Sequence, residues 1–104
     1  MFIFKSIDEK FKDIGFIKIE EDKYGVVYER YDEEYKYMQK LDISHKINGK
    51  YLVQSYDATN TTSEFPPVVG LTEYEIKLVL IKIKILHINN KIINKFVDKG
   101  NGMN

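Results

Sequence analysis

Histidine, carboxylate and tyrosine side chains are what this chain offers for chemistry, and their spacing restricts what that chemistry could be. His45 and His87 are its two imidazoles, and neither has a second histidine or a carboxylate three or four residues away on a predicted helix. A metal site on one helix face needs that spacing. The sequence therefore predicts no metal, and both histidines read as packing or surface residues. Carboxylates cluster in Glu20-Glu21-Asp22 and in Asp32-Glu33-Glu34, at the ends of predicted strands. Paired-acid catalysis needs two carboxylates that converge across a cleft with separated pKa values. Acidic runs at turns read instead as solvated charge. With no cysteine there can be no thiolate nucleophile, disulfide or cysteine metal site. No phosphate loop, dinucleotide fingerprint or nucleophile elbow occurs. The expectation is a chain that is not an enzyme, with no catalytic residues and no cofactor.

The elements that would position these groups begin at Ser6-Ile7-Asp8-Glu9, which has capping-box spacing. Ile7, Phe11 and Ile14 then share a face, and Gly15 stands where a left-handed cap needs glycine. A helix is predicted from Ile7 to Ile14. Strands follow over Phe16 to Glu21, Val26 to Tyr31, and Tyr35 to Lys46. Asp22-Lys23-Tyr24-Gly25 is the first turn.

Asn48-Gly49 between two alternating runs predicts a type I′ hairpin of two loop residues. That turn would pair Ile47 with Lys50, His45 with Leu52, Ile43 with Gln54 and Leu41 with Tyr56. Leu41, Ile43, Leu52 and Tyr56 would then face the core, and Tyr51 and Val53 the other side. The span Asp57 to Leu71, with Phe65-Pro66-Pro67, has no period and reads as a long extended loop.

Thr72 and Glu75 form a second capping box, and a long helix is predicted from Glu73 towards Val97. Asn89-Asn90 could interrupt it, and Gly100 would end it. The rival reading is a strand, because Ile81-Lys82-Ile83-Lys84-Ile85 alternates. Plotted as a helix, Lys77, Lys84 and Lys91 form one polar stripe, and nearly everything else from Ile76 to Ile88 is apolar. That exceeds the apolar stripe of roughly 100° that one sheet can cover. A further partner is implied: the first helix, a second copy of the chain, or a target protein.

The predicted fold class is α+β: a short N-terminal helix, a four-stranded antiparallel meander and a long C-terminal helix packed on one face of the sheet. Residues 1–98 would make a single domain and 99–104 a flexible tail. The 16 basic and 16 acidic residues balance, and Arg30 is the single arginine, which argues against a dedicated nucleic-acid binder. Lysines break the longest apolar run, so no membrane span is expected. The apolar Met1-Phe2-Ile3-Phe4, followed by Lys5, is too short for a signal peptide. A cytoplasmic protein is expected.

Three stretches, Asp13-Ile14-Gly15-Phe16, Val27-Tyr28-Glu29-Arg30-Tyr31, and Gly70-Leu71-Thr72 with Glu75, Leu78 and Lys82, resemble small uncharacterised phage and prophage proteins of low-GC Gram-positive bacteria. The resemblance covers about three quarters of the chain, and it lies in caps and strands. It implies a phage or mobile-element protein in a bacterial cytoplasm, where inhibitors of host defence such as anti-CRISPR proteins occur. It carries over no functional residues.

The functional expectation is a non-enzymatic protein–protein interaction module that acts by occupying a partner's surface, a host nuclease in the sharpest version. The contact would fall on Tyr51, Phe65, Tyr74, Ile81, Ile85 and Ile88. The eight tyrosines support this reading because tyrosine gives large area, few rotors and a polar tip. The partner could be a second copy, giving a homodimer. One alternative is a small enzyme or nucleotide-binding protein, with a site between residues 57–71 and the sheet using His45 and acidic residues. The other is a nucleic-acid-binding accessory protein.

Overall fold

The computed structural model describes residues 4–46, 48–59 and 64–101, with side chains described as far as Lys91. Helix α1 spans Ile7–Asp13, and the Ser6 hydroxyl caps it by accepting the Glu9 amide at 3.1 Å. Its far end is a Schellman motif: the Phe16 amide donates to the Phe11 carbonyl at 2.9 Å, and Gly15 to Lys12 at 2.9 Å. Phe16 packs edge-on against Phe11 and closes the cap.

Four strands follow, β1 (Ile17–Asp22), β2 (Gly25–Asp32), β3 (Tyr37–His45) and β4 (Tyr51–Asp57), as an antiparallel sheet in the order β1-β2-β3-β4. Helix α2 (Glu73–Asn101) comes last, so the α+β layout read from the sequence is the observed one. It starts on a complete capping box: Glu75 donates its amide to the Thr72 hydroxyl, and the Glu75 carboxylate accepts from the Thr72 amide. The alternation at Ile81–Ile85 is overridden by these start signals. α2 also runs through Asn89-Asn90 and past Gly100, where an interruption and an end were expected.

The core lies between one face of the sheet and the two helices. Phe11, Phe16, Val26, Tyr28, Leu41, Ile43, Leu78, Val79 and Leu86 are buried there. Phe11 stacks on the Tyr28 ring at a centroid distance of 4.2 Å. β1 is exposed along its whole length. Its register shift between Lys18 and Glu20 and its charged side chains blunt that sheet edge.

The β3–β4 register differs from the expected one by a single residue. His45 pairs with Tyr51, Ile43 with Val53 and Leu41 with Ser55. A type I′ turn needs positive φ at both central residues. Gly49 has it, at +80°. The loop closes with Lys46 donating its amide to the Lys50 carbonyl at 2.7 Å, and Gly49 to Lys46 at 3.0 Å. The expected Ile47–Lys50 pair lies outside the described residues. A one-residue slip turns every side chain of a strand over. Tyr51 and Val53 therefore pack towards the core, and Leu52 and Gln54 are exposed.

The 57–71 span is less irregular than its composition suggests. Val68 bridges to Tyr56, and the Asp57 amide donates to the Pro67 carbonyl at 2.9 Å. The described part of the segment folds back along the free edge of β4. Thr59 helps anchor it by accepting the Met38 amide at 2.9 Å.

Candidate functional site

Two charged networks are built into the core, and neither was anticipated. Lys82 sits on the inward stripe of α2 with Leu78, Val79 and Leu86, and its side chain is 4% exposed. Its ammonium reaches Asp8 of α1 at 3.2 Å and is also paired with Glu21 of β1. Asp8 further accepts from the Tyr28 hydroxyl at 2.6 Å and from Lys18 at 2.9 Å. Glu21, read from the sequence as solvated charge, is thus the partly exposed partner of a buried ammonium.

The second network surrounds the lone arginine. Arg30 donates to the Ile14 carbonyl at 3.1 Å and to Gln39 at 2.8 Å. It pairs with Glu75 at 2.7 Å and lies over the Phe16 ring. Gln39, itself buried, donates onward to Ser55 at 2.8 Å. Among the described residues no buried side-chain polar atom lacks a partner. Each buried donor and acceptor finds a partner, and the contacts among these groups pin α1, the sheet and α2 together. The sequence signal was present: Lys82 falls four residues from both Leu78 and Leu86, on the apolar stripe and off the lysine one.

Linkage follows for the first network. Burial pushes the Asp8 carboxyl up, but the hydrogen bonds from Tyr28 and Lys18 and the charge of Lys82 outweigh it, so its pKa is lowered from 3.8. A lowered carboxyl contributes stability above that ordinary value, and the contribution is lost as the pH falls below it. Burial first, and then the Asp8 carboxylate, raise the Tyr28 hydroxyl far above its ordinary value of 10.0. That contribution is intact below pH 10 and lost above it. Urea midpoints should therefore stay level between these limits and fall at both ends. An Asp8→Asn variant should show a shallower acid limb.

The histidines meet at the hairpin end of the molecule. The Tyr51 ring lies 5.0 Å from that of His45 and 4.8 Å from that of His87. Its hydroxyl accepts from Asn90 at 2.9 Å. Burial raises the Tyr51 pKa, and the Asn90 hydrogen bond lowers it part of the way back. Tyr51 is therefore half-buried under α2 rather than turned outward as the expected register had it. A cavity of 630 Å³ does open between β4 and the following segment, lined by Val53, Tyr56, Glu64, Phe65, Pro66 and Val68 among others. His45 lies away from it, so the histidine and that segment are not brought together.

The other residues singled out in the sequence fall at two places. Phe65 is 87% exposed beside the β4 edge. Tyr74, Ile81 and Ile88 are 50%, 41% and 57% exposed along one flank of α2, with half-buried Ile85 beside them packing on the core. Ile76 and Leu80 are exposed on the opposite flank. Lys77, Lys84 and Lys91 run between the two flanks, all exposed.

Among the described residues, no cluster of three histidines or carboxylates could hold a metal ion. No described helix is long and apolar enough to cross a membrane. Comparison with protein-family models, with curated proteins and with solved structures returned no match.

Proposed function

We propose that this chain is a non-enzymatic protein-binding module whose docking element is the outward side of α2. The observation that carries this reading is the apolar surface there: Tyr74, Ile81 and Ile88 on one flank, Ile76 and Leu80 on the other. An apolar surface that the chain's own fold leaves uncovered on both sides of a helix is what an interface core needs.

The lysine stripe defines the partner. Two copies docked symmetrically by this face would set Lys77, Lys84 and Lys91 of each against the same three of the other. The acid close to the stripe is Glu73, held by Lys77 at 3.4 Å. Like charges brought together oppose such a dimer. A different protein with apolar ridges flanking an acidic strip fits better. Inhibition of a host defence nuclease, as the phage resemblance implies, would be one instance of this surface occupancy.

An Ile81→Glu/Ile88→Glu variant tests the reading. Both side chains are exposed, so the fold should hold, with stability changed by about 0.5 kcal/mol per site or less. Partner retention in affinity capture should drop at least about tenfold relative to the unaltered chain. Equal retention of the same partner by both proteins would refute it.

A further inference from the structure

We infer that the hairpin end of the molecule is a binding site for a small phosphate-bearing molecule with a flat ring, of the nucleoside-diphosphate class. A basin of 370 Å³ opens there, lined by Lys23, Tyr24, His45, Gly49, His87, Asn90 and Lys91. That volume is at the small end of ligand pockets, about 300–1,000 Å³. The basin shares Lys91 with the α2 docking face, and its other lining residues lie outside the set named there.

The lining comes from separate elements that converge on this end. The β1–β2 turn supplies Lys23 and Tyr24, the end of β3 supplies His45, and the β3–β4 turn supplies Gly49. One stretch of α2 supplies His87, Asn90 and Lys91, three and four residues apart and hence on one helix face.

Charge selects the ligand. Among the described residues, apart from the Tyr24 phenol, every titratable group lining the basin is a lysine or a histidine, and no carboxylate lines it. In a chain with zero formal net charge this is a local concentration of one sign. The acids Glu20, Asp22 and Asp42 line a neighbouring cavity that shares Tyr24 and His45 with this one. Two ammonium groups, with imidazole nitrogens beside them as hydrogen-bonding groups, suit a multiply charged anion better than a single carboxylate.

The ring half of the ligand is set by Tyr24. Tyr24 is 61% exposed, with the Lys23 ammonium 5.0 Å from its ring centroid, and the ring offers a planar surface for stacking. Asn90 is oriented by its hydrogen bond to Tyr51, which leaves its carbonyl oxygen and second N–H for a polar ring edge or a ribose hydroxyl. Gly49 has open space where a Cβ would stand, so the hairpin does not crowd the basin.

The test follows the His45 and His87 ring signals by NMR at neutral pH and constant ionic strength. Adenosine diphosphate, inorganic phosphate and adenosine are titrated separately. The expected result is saturable shifts of both rings with the diphosphate, binding weaker by about tenfold or more for inorganic phosphate, and weaker still for adenosine. A Lys23→Glu/Lys91→Glu variant, with its backbone spectrum otherwise unchanged, should lose at least about tenfold in affinity for the diphosphate. Absence of saturable shifts, or affinity unchanged in the variant, would overturn the site. Equal affinity for phosphate and diphosphate would overturn the ring half of the assignment. The Ile81→Glu/Ile88→Glu variant should bind the diphosphate normally, which keeps this result separate from the docking test.

Discussion

Replacement of Lys82 by alanine is expected to lower the unfolding free energy by about 2–3 kcal/mol. The Lys82 ammonium is buried between two carboxylates, those of Asp8 and Glu21. Removing it leaves two acids facing each other and strips the aliphatic stem from a packed position. Loss of one partner from a fully buried pair costs about 3–5 kcal/mol. The lower figure applies because the Asp8 and Glu21 side chains are 32% and 31% exposed, so water screens what remains. Lys18 also stays within 2.9 Å of Asp8.

Lys82→Met should separate the charge from the stem. It keeps most of the volume, and it should raise the Asp8 pKa towards 3.8 by removing one of the groups that lower it. Combining it with Asp8→Asn should cost less than the two single changes summed, since both act on one contact. Urea unfolding of the four proteins measures this coupling. Additive costs would show that the network does not hold α2 against α1 and β1.

Gly25→Ala should be about as damaging, at about 2–4 kcal/mol. Gly25 opens β2 directly after the first turn, with φ at +153° and opposite Ser44 of β3. A Cβ there would run into the Ile43 carbonyl oxygen and lie 3.0 Å from the Ile43 carbonyl carbon and the Ser44 Cα. Those atoms are backbone in the central ladder, with no flexible tip to move aside. The end of the β2–β3 ladder must open, and the His45 amide bond to the Tyr24 carbonyl goes with it. Thermal unfolding gives the loss of stability. Hydrogen exchange at the His45 amide should show that the loss starts at this end.

Local signals were legible and long-range pairing was not. Ser6, Gly15, Thr72 and Glu75 announce helix ends because capping chemistry acts within a few residues, and each ends up where that chemistry places it. The hairpin register failed because Asn-Gly permits more than one turn. The choice was made at a distance. Tyr51 under α2, Val53 against the core and Ser55 as the acceptor for buried Gln39 favour the slipped pairing. The two ion networks were invisible for a related reason. Periodicity puts Lys82 on the inward stripe, but nothing local ties it to Asp8, 74 residues earlier. Arg30 alternates inward with Val26 and Tyr28, yet its partners come from the C-cap of α1, from β3 and from α2.

The same contrast holds for surfaces. An excess of apolar residues on α2 is a property of one helix, and it was read from spacing alone. The basic basin needs a turn, a strand end and a helix face to meet, so His45 and His87 looked isolated although they share one tyrosine ring.

Photo-crosslinking in living cells addresses the docking face most directly. A photoreactive residue is placed at position 81 on α2, and separately at position 19 on β1 as a comparison. One discrete adduct with another protein is expected from position 81, absent from position 19 and lost when Ile88 is changed to glutamate. Adducts only with a second copy of the chain, or the same adducts from both positions, would contradict the docking assignment.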